Sequence, residues 1–241
     1  MCGIFGYITT AGDGPSVERL RKIAIVTQSR GMHAFGLAWL NRDGSVGQWK
    51  AEGPAENHLG QLDAVADARI VIGHCRYATH GSPANPNNNH PHPAGGGVIV
   101  HNGIVFNHEQ LVVQYGLQPR SECDSEVIGL MMANASRGTI LRRAAYATSR
   151  LSGDLAILGL WRKPGRLLVA RRGRPLMFGQ SKQGYYFASL AEGLPGPRPV
   201  ADRLVYMFQN IDGRLTIDST QISDPDFDPF ELDIDEPTLF V

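Results

Sequence analysis

The chain has 241 residues, 42% of them hydrophobic and 19% charged, and its 23 basic and 23 acidic residues cancel to a formal charge of zero. That length suits one large or two small domains with a real hydrophobic core, and the balanced charge argues against nucleic acid or an anionic membrane as a partner. No apolar run approaches the roughly 20 residues that span a bilayer, the opening MCGIFGYITT has neither a basic leader nor a cleavable hydrophobic segment, and three cysteines are too few for a disulfide framework, so a cytoplasmic protein with free thiols is the default expectation.

The apolar, β-branched run at 4–9 predicts a buried strand close to the N-terminus. After the Gly12-Asp13-Gly14-Pro15 turn, Ser16 is placed to cap a helix that carries Leu20, Ile23 and Val26 and ends before Gly31. Strands are expected at 36–40 and 47–51 around a turn at 41–45, then a helix within 54–66 and a buried strand at 69–74. Residues 81–97, GSPANPNNNHPHPAGGG, are too rich in Gly, Pro and Asn for a regular element. They read as an ordered functional loop ahead of a strand at 98–101. Helices are predicted at 107–115, 124–135 and 139–151. Strands follow at 155–161, 166–170, 176–179, 185–188 and 204–208, with a closing hairpin through 209–213 and 215–217. The organisation expected is one domain over 1–220 and an acidic, proline-punctuated tail over 221–241, either solvated or docking a basic partner. Strands and helices mix without regular strand–helix–strand alternation, which favours an α+β fold with mainly antiparallel sheets.

Four segments carry chemistry. Met1-Cys2-Gly3 places a thiol next to the initiator methionine. Trimming of Met1 would leave a cysteine with a free α-amine, and such an amine, with an ordinary pKa of about 7.7–8.0, can take the thiol proton. The plain alternative is an incidental second-position cysteine. In 73–81, GHCRYATHG, Arg76 lies just past a strand end, where its guanidinium can hold a carboxylate by two hydrogen bonds, with Thr79 and His80 as further polar groups. Equally ordinary would be a surface ion pair. In VHNGI, the Asn102 side-chain amide and the Gly103 N–H could stabilise the oxyanion of a tetrahedral intermediate. An Asn-Gly hairpin turn is the common reading of that pair, but the chain continues into a helix. In SECDSE, Asp124 is placed either to cap a helix or to meet a ligand ammonium.

Together CGIFGY, SRGMHAFG, GHCRYATHG, NNNHPHP, VHNGIVFNHEQL and CDSEV, followed by ARRGRPLMFG and YYFASLAEGL, resemble the class II glutamine amidotransferases, the N-terminal-nucleophile (Ntn) glutaminase domains. The resemblance covers about residues 2–217 and is closest to the glutaminase domain of glucosamine-6-phosphate synthase. Tyr77 leans toward the amidophosphoribosyltransferase branch, because the first branch usually has tryptophan there. The resemblance implies a four-layer α-β-β-α sandwich of two mainly antiparallel sheets. It implies Cys2 as nucleophile with its α-amine as base, and Asn102 with Gly103 as the oxyanion hole. Arg76, with Thr79 and His80, would hold the glutamine α-carboxylate, and Asp124 the α-ammonium. Arg30 joins this substrate group by supporting the nucleophile, and Tyr77 sits on a loop that closes over glutamine. L-Glutamine is the implied substrate, no cofactor is implied, and a separate ammonia-accepting synthase is the expected partner. A homo-oligomer is compatible with the sequence. Two alternatives stay open: a catalytically silent glutamine-binding subunit, and an Ntn hydrolase acting on another amide.

The sequence also departs from the family. His33 stands where Arg30-Gly31-Met32 is usually followed by aspartate. Cys75 and Cys123 read as small buried fillers. His74, His80, His90, His92 and His101 lack the spacing of a metal-ligand set, so no metal is expected. Arg171, Arg172 and Arg174 are a candidate partner-facing patch.

Overall fold

In the computed structural model the described residues are 1–10, 12–135, 138–211 and 214–222. The acidic tail expected over 221–241 therefore lies outside them from 223 onward. Strand β1 (Gly3–Thr9) leads into helix α1 (Val17–Gln28), whose N-cap Ser16 accepts the Arg19 N–H through its hydroxyl at 3.2 Å. The hairpin β2 (Ala34–Asn41) and β3 (Val46–Glu52) follows, then a 3₁₀ helix (Ala55–Val65) and β4 (Ala68–Arg76). Next come β5 (His92–Ala94), β6 (Gly97–Gly103) and helices α2 (His108–Tyr115), α3 (Glu126–Asn134) and α4 (Ile140–Arg150). The chain closes with β7 (Leu155–Trp161), β8 (Arg166–Arg172), β9 (Met177–Gln180), β10 (Gly184–Ala188), the two-residue β11 (Arg198–Pro199), β12 (Leu204–Ile211) and β13 (Arg214–Gln221).

These strands form a seven-stranded sheet, β11-β9-β10-β1-β4-β2-β3, and a six-stranded sheet, β13-β12-β8-β7-β6-β5. The ladders between these strands are antiparallel. Residue alternation along each strand assigns the layers. In β1, Ile4 and Ile8 pack against Leu158 and Val169 of the other sheet, while Phe5 and Tyr7 pack against Leu20 and Ile23 of α1. In β7, Ala156, Leu158 and Leu160 join the layer between the sheets, while Leu155, Ile157 and Trp161 join Ile128 and Met131 of α3. Strands buried on both faces need apolar residues at every position, which is why 4–8 and 155–161 read as continuous hydrophobic runs. Each fully buried Ile or Leu contributes roughly 1.5–3 kcal/mol. The result is the expected α-β-β-α sandwich.

The helix expected within 54–66 is present, as a 3₁₀ helix over Ala55–Val65. Residues 81–97 are not wholly irregular: Pro86–Asn88 form a 3₁₀ turn and His92–Ala94 form β5. Strand β5 is the edge of its sheet, where Pro93 needs no ladder N–H, and Gly95 and Gly96, at φ 54° and 88°, turn the chain back into β6. The two-residue β11 was too short to carry a periodic signal. Among the described residues no helix is long and apolar enough to cross a membrane.

Candidate active site

The N-terminal end of β1 and the C-terminal end of β4 lie side by side, with Gly3 opposite Cys75. This register brings Cys2 next to the Arg76–Tyr77 peptide. The Tyr77 N–H donates to Cys2 Sγ at 3.3 Å, and the thiol lies 3.5 Å from the Tyr77 carbonyl oxygen. Arg30, just beyond α1, donates from Nε to the Cys2 carbonyl at 2.8 Å, so it contacts the nucleophile's backbone. Gly31 lets that turn cross β4: a Cβ there would lie 2.4 Å from the Arg76 carbonyl carbon and 2.5 Å from the Tyr77 nitrogen.

Burial pushes the Cys2 thiol up; the Tyr77 N–H, the N-terminal ammonium and Arg76 oppose the rise, and Asp124 adds to it. A thiol held neutral in this way needs a base before it can attack. While Met1 is attached the nitrogen of Cys2 is an amide, which has no basicity to offer. Met1 itself lies with its Sδ 3.1 Å from Arg174 Nη1. It lines a surface recess of about 400 Å³ together with Arg30, Gly31, Met32, His33 and Tyr77.

Arg76 and Asp124, one cation and one anion, are each only 2% exposed and both act on the Cys2 thiol. Arg76 donates from Nη1 to Asn89 Oδ1 at 2.8 Å and from Nη2 to the His80 and Gly81 carbonyls, the latter at 2.9 Å. Nη2 thus grips the 77–81 loop, while Nη1 holds Asn89. Asp124 does not cap α3. Its Oδ2 accepts the Val105 N–H at 2.7 Å, and its Oδ1 lies 3.6 Å from His80 Nδ1. Helix α3 consequently starts at Glu126, later than predicted. The Thr79 hydroxyl lies 3.2 Å from the ring nitrogen of its neighbour, His80 Nδ1. Tyr77 is half exposed over the site.

At the end of β6, Asn102 is buried, and among the described residues neither its Oδ1 nor its Nδ2 has a hydrogen-bond partner. Burying an unpaired amide costs roughly 1–3 kcal/mol, so its retention asks for a ligand. Gly103 has no room for a side chain: a Cβ would lie 2.3 Å from the Asp154 carbonyl oxygen and 2.5 Å from His101 Nε2. The two sheets are tied at this level by His74 Nε2, which must carry the proton to donate to the His101 carbonyl at 3.0 Å.

Several contacts were not anticipated from the sequence. His33 Nδ1 accepts the Ala78 N–H at 2.9 Å, and its ring stacks on Tyr77 at 4.9 Å. An aspartate carboxylate could accept the same N–H, which explains how histidine substitutes for the family's usual residue. Replacing His33 by Leu should loosen the loop and, with glutamine as the substrate that the sequence resemblance implies, raise the KM by about threefold to tenfold, since one backbone donor loses its partner. His33→Asp should restore most of the loss; an unchanged KM in the leucine variant would show that the contact does not hold the loop. Glu126 accepts the Arg120 and Ser121 N–H groups at 3.0 and 2.8 Å through Oε2. Asn88 ties the loop to the same segment through Glu122, by bonds of 2.9 and 3.0 Å. The NNN run was visible in the sequence, but its partners were not.

Two arginines of the candidate partner-facing patch, Arg171 and Arg172, already make internal hydrogen bonds. Arg172 donates to the carbonyls of Thr148, Leu151 and Gly153, and Arg171 to those of Arg174 and Val200. These guanidiniums are used internally, two of the Arg172 bonds closing the C-terminal end of α4.

His101 is buried, with Nδ1 2.8 Å from the Ser125 hydroxyl. Burial lowers its pKa to about 4; Asp124 raises it, and Arg174 and Arg172 lower it further. A histidine depressed below its unfolded value of about 6.5 contributes stability above that pH and loses it as pH falls toward 4, roughly 3 kcal/mol in all. Urea unfolding should therefore weaken from pH 7 to pH 4.5, and His101→Gln should flatten the slope. Equal slopes for both proteins would remove His101 from the account.

Known proteins resemble this chain in sequence and in fold. A family model described as a glutamine amidotransferase domain matches residues 74–195. The glutamine–fructose-6-phosphate aminotransferase (isomerizing) of Helicobacter pylori is 32% identical over 227 residues, covering 91% of this chain and 37% of the relative. The Caulobacter vibrioides enzyme of the same name is 35% identical over 237 residues, covering 93% and 37%. The chain thus spans little more than a third of these relatives. Among solved structures, the glutamine phosphoribosylpyrophosphate amidotransferase of B. subtilis, complexed with ADP and GMP, aligns with a TM-score of 0.76 at 23% identity, over 92% of this chain and 49% of that one. A glutamine aminotransferase class-II domain protein from Silicibacter pomeroyi aligns with a TM-score of 0.58 at 16% identity, over 92% and 100%. These structural matches share the two-sheet Ntn-hydrolase fold described above, and with the match of the family model, the chain belongs to the class II glutamine amidotransferases.

Proposed function

We propose that the chain hydrolyses the side-chain amide of L-glutamine to glutamate and ammonia through a γ-glutamyl thioester on Cys2. One observation carries the reading: a buried cation, Arg76, and a buried anion, Asp124, both act on a single thiol. That is the charge pattern required to grip the α-carboxylate and α-ammonium of a free amino acid beside a nucleophile. A substrate without those groups would give neither buried charge an opposite charge in exchange, which disfavours the reading as a hydrolase of other amides.

Once Met1 is removed, the Cys2 α-amine takes the thiol proton and Sγ attacks the glutamine Cδ. The oxyanion is held by the unpartnered Asn102 amide and the Gly103 N–H. The protonated amine then gives its proton to the departing ammonia, leaving the thioester, and water cleaves it to glutamate with the amine again as base. Arg76 now holds loop carbonyls where the glutamine carboxylate would bind. The 77–81 loop therefore lifts to admit substrate and exchanges those carbonyls for the carboxylate. The ammonia passes to a synthase; the relatives that match this chain extend well beyond the shared region.

A chain that retains Met1 has no α-amine on Cys2 and would bind glutamine silently. Intact mass of the purified protein, read beside glutamine-dependent glutamate release, separates the two cases. Trimmed protein that releases no glutamate, alone or with its captured partner, would overturn the hydrolytic reading.

A further inference from the structure

Behind the residues proposed to grip glutamine lies a second cluster with unused ligand atoms. One atom each of His90, His92 and Cys123 lies within 4.8 Å of the others, and all three residues are buried. Among the described residues, neither ring nitrogen of His90 has a hydrogen-bond partner, nor does His92 Nε2. Buried imidazole nitrogens usually find donors or acceptors, because leaving them dry forfeits their hydration. His90 is only 2% exposed and His92 1%. Their rings meet edge to face at 4.4 Å, and His74, occupied with the His101 carbonyl, stacks on His90 at 3.9 Å.

We propose that His90, His92 and Cys123 bind a thiophilic divalent cation, Zn²⁺ in the first instance. Two imidazoles and a thiolate are donors that zinc and cobalt share, whereas magnesium and calcium require oxygen. Bond lengths of about 2.0–2.3 Å around a tetrahedral ion place ligand atoms under 4 Å apart. The cluster therefore closes by about 1 Å as it binds. The S–H proton of Cys123 leaves to solvent, and a water completes the coordination. Charge around the site is mixed: Lys50 and Arg76 are the nearby cations, Asp124 and Glu126 the nearby anions. Lys50 Nζ donates to the carbonyls of Asn89 and Pro91, at 2.8 and 3.1 Å. The sequence concealed this ligand set because Cys123 joins the HPH pair only through folding, when the loop ahead of β5 packs on the segment ahead of α3.

The position gives the ion a consequence for the proposed reaction. His90 follows Asn89, the Arg76 partner, and Cys123 precedes Asp124, whose Oδ1 lies 3.9 Å from the Cys123 sulfur. A cation on the thiolate draws that carboxylate toward itself, so occupancy weakens the grip on an ammonium. This consequence rests on the proposed glutamine hydrolysis; the metal site does not.

Cobalt(II) titration of the full chain tests the site without any variant. The expected result is a thiolate-to-cobalt charge-transfer band with tetrahedral d–d bands, saturating at one equivalent and displaced by Zn²⁺. Cys123→Ser should abolish the charge-transfer band and weaken Zn²⁺ at least tenfold, and Cys2→Ala should keep both. No charge-transfer band in the unaltered chain, or a band that survives Cys123→Ser and disappears in Cys2→Ala, would overturn the proposal. Zn²⁺ inhibition that is competitive with glutamine and absent in Cys123→Ser is the expected kinetic consequence. Metal binding with no effect on glutamine KM would overturn that coupling and leave the site itself standing.

Discussion

Cys2→Ala is expected to abolish glutamine hydrolysis, by roughly 10⁴-fold or more, while the protein remains folded. Alanine removes little that holds the fold: the hydrogen bonds of the sulfur are to the Tyr77 peptide, and the Cys2 carbonyl that Arg30 holds is backbone and survives the change. Activity should fall so far because no neighbouring thiol can substitute. Cys75 faces α1 in the outer core layer, and burial pushes its thiol far up. Cys123 is also buried, with its thiol pushed up to about 12 by burial and by Asp124. The measurement is glutamate release together with a thermal unfolding midpoint. An alanine variant that still turns over glutamine at more than a hundredth of the parent rate would refute the nucleophile and the thioester with it.

Asp124→Asn should lower kcat/KM for glutamine by about a hundredfold, near 3 kcal/mol, the usual scale for removing one partner of a buried, hydrogen-bonded charge pair. Asparagine is close in size and can still accept the Val105 N–H, so the variant isolates the charge. The loss should appear mainly in KM, and analogues of glutamine lacking the α-amine should bind parent and variant alike. Arg76→Lys tests the other end. Lysine keeps the charge but cannot reproduce the fork that spans Asn89 and the His80 and Gly81 carbonyls, so glutamine binding and closure of the 77–81 loop should both suffer. Wild-type KM values in both variants would mean that glutamine is gripped elsewhere.

The two variants also separate the hydrolytic reading from the silent one. A silent binder loses glutamine affinity in Asp124→Asn and is indifferent to Cys2→Ala. An enzyme responds to both, and only after Met1 has gone.

Much of the architecture was legible in the linear chain because strands buried on both faces and helices buried on one leave local signatures. The runs at 4–9 and 155–161, the Ser16 cap and the Asn41–Ser45 turn need no distant partner to be recognised. The candidate chemistry was legible for a related reason: Cys2, Arg76, Asn102 and Asp124 sit at the ends of elements, where a loop or terminus presents side chains to a ligand. Contacts across the layers depended on the folded arrangement. Only the antiparallel register of β1 against β4 sets the Tyr77 N–H on Cys2, and a shift of one residue would have turned these side chains to the opposite face. Packing of the two sheets made His74 meet His101 and left Asn102 dry, and folding of the loop onto β2 let His33 take the Ala78 N–H. Amino-acid order alone determined which segments are apolar, where they start and which reactive groups they carry. Tertiary structure decided which of those groups are neighbours, because proximity between distant segments follows from register and layer packing, and neither is written in any local stretch of the chain.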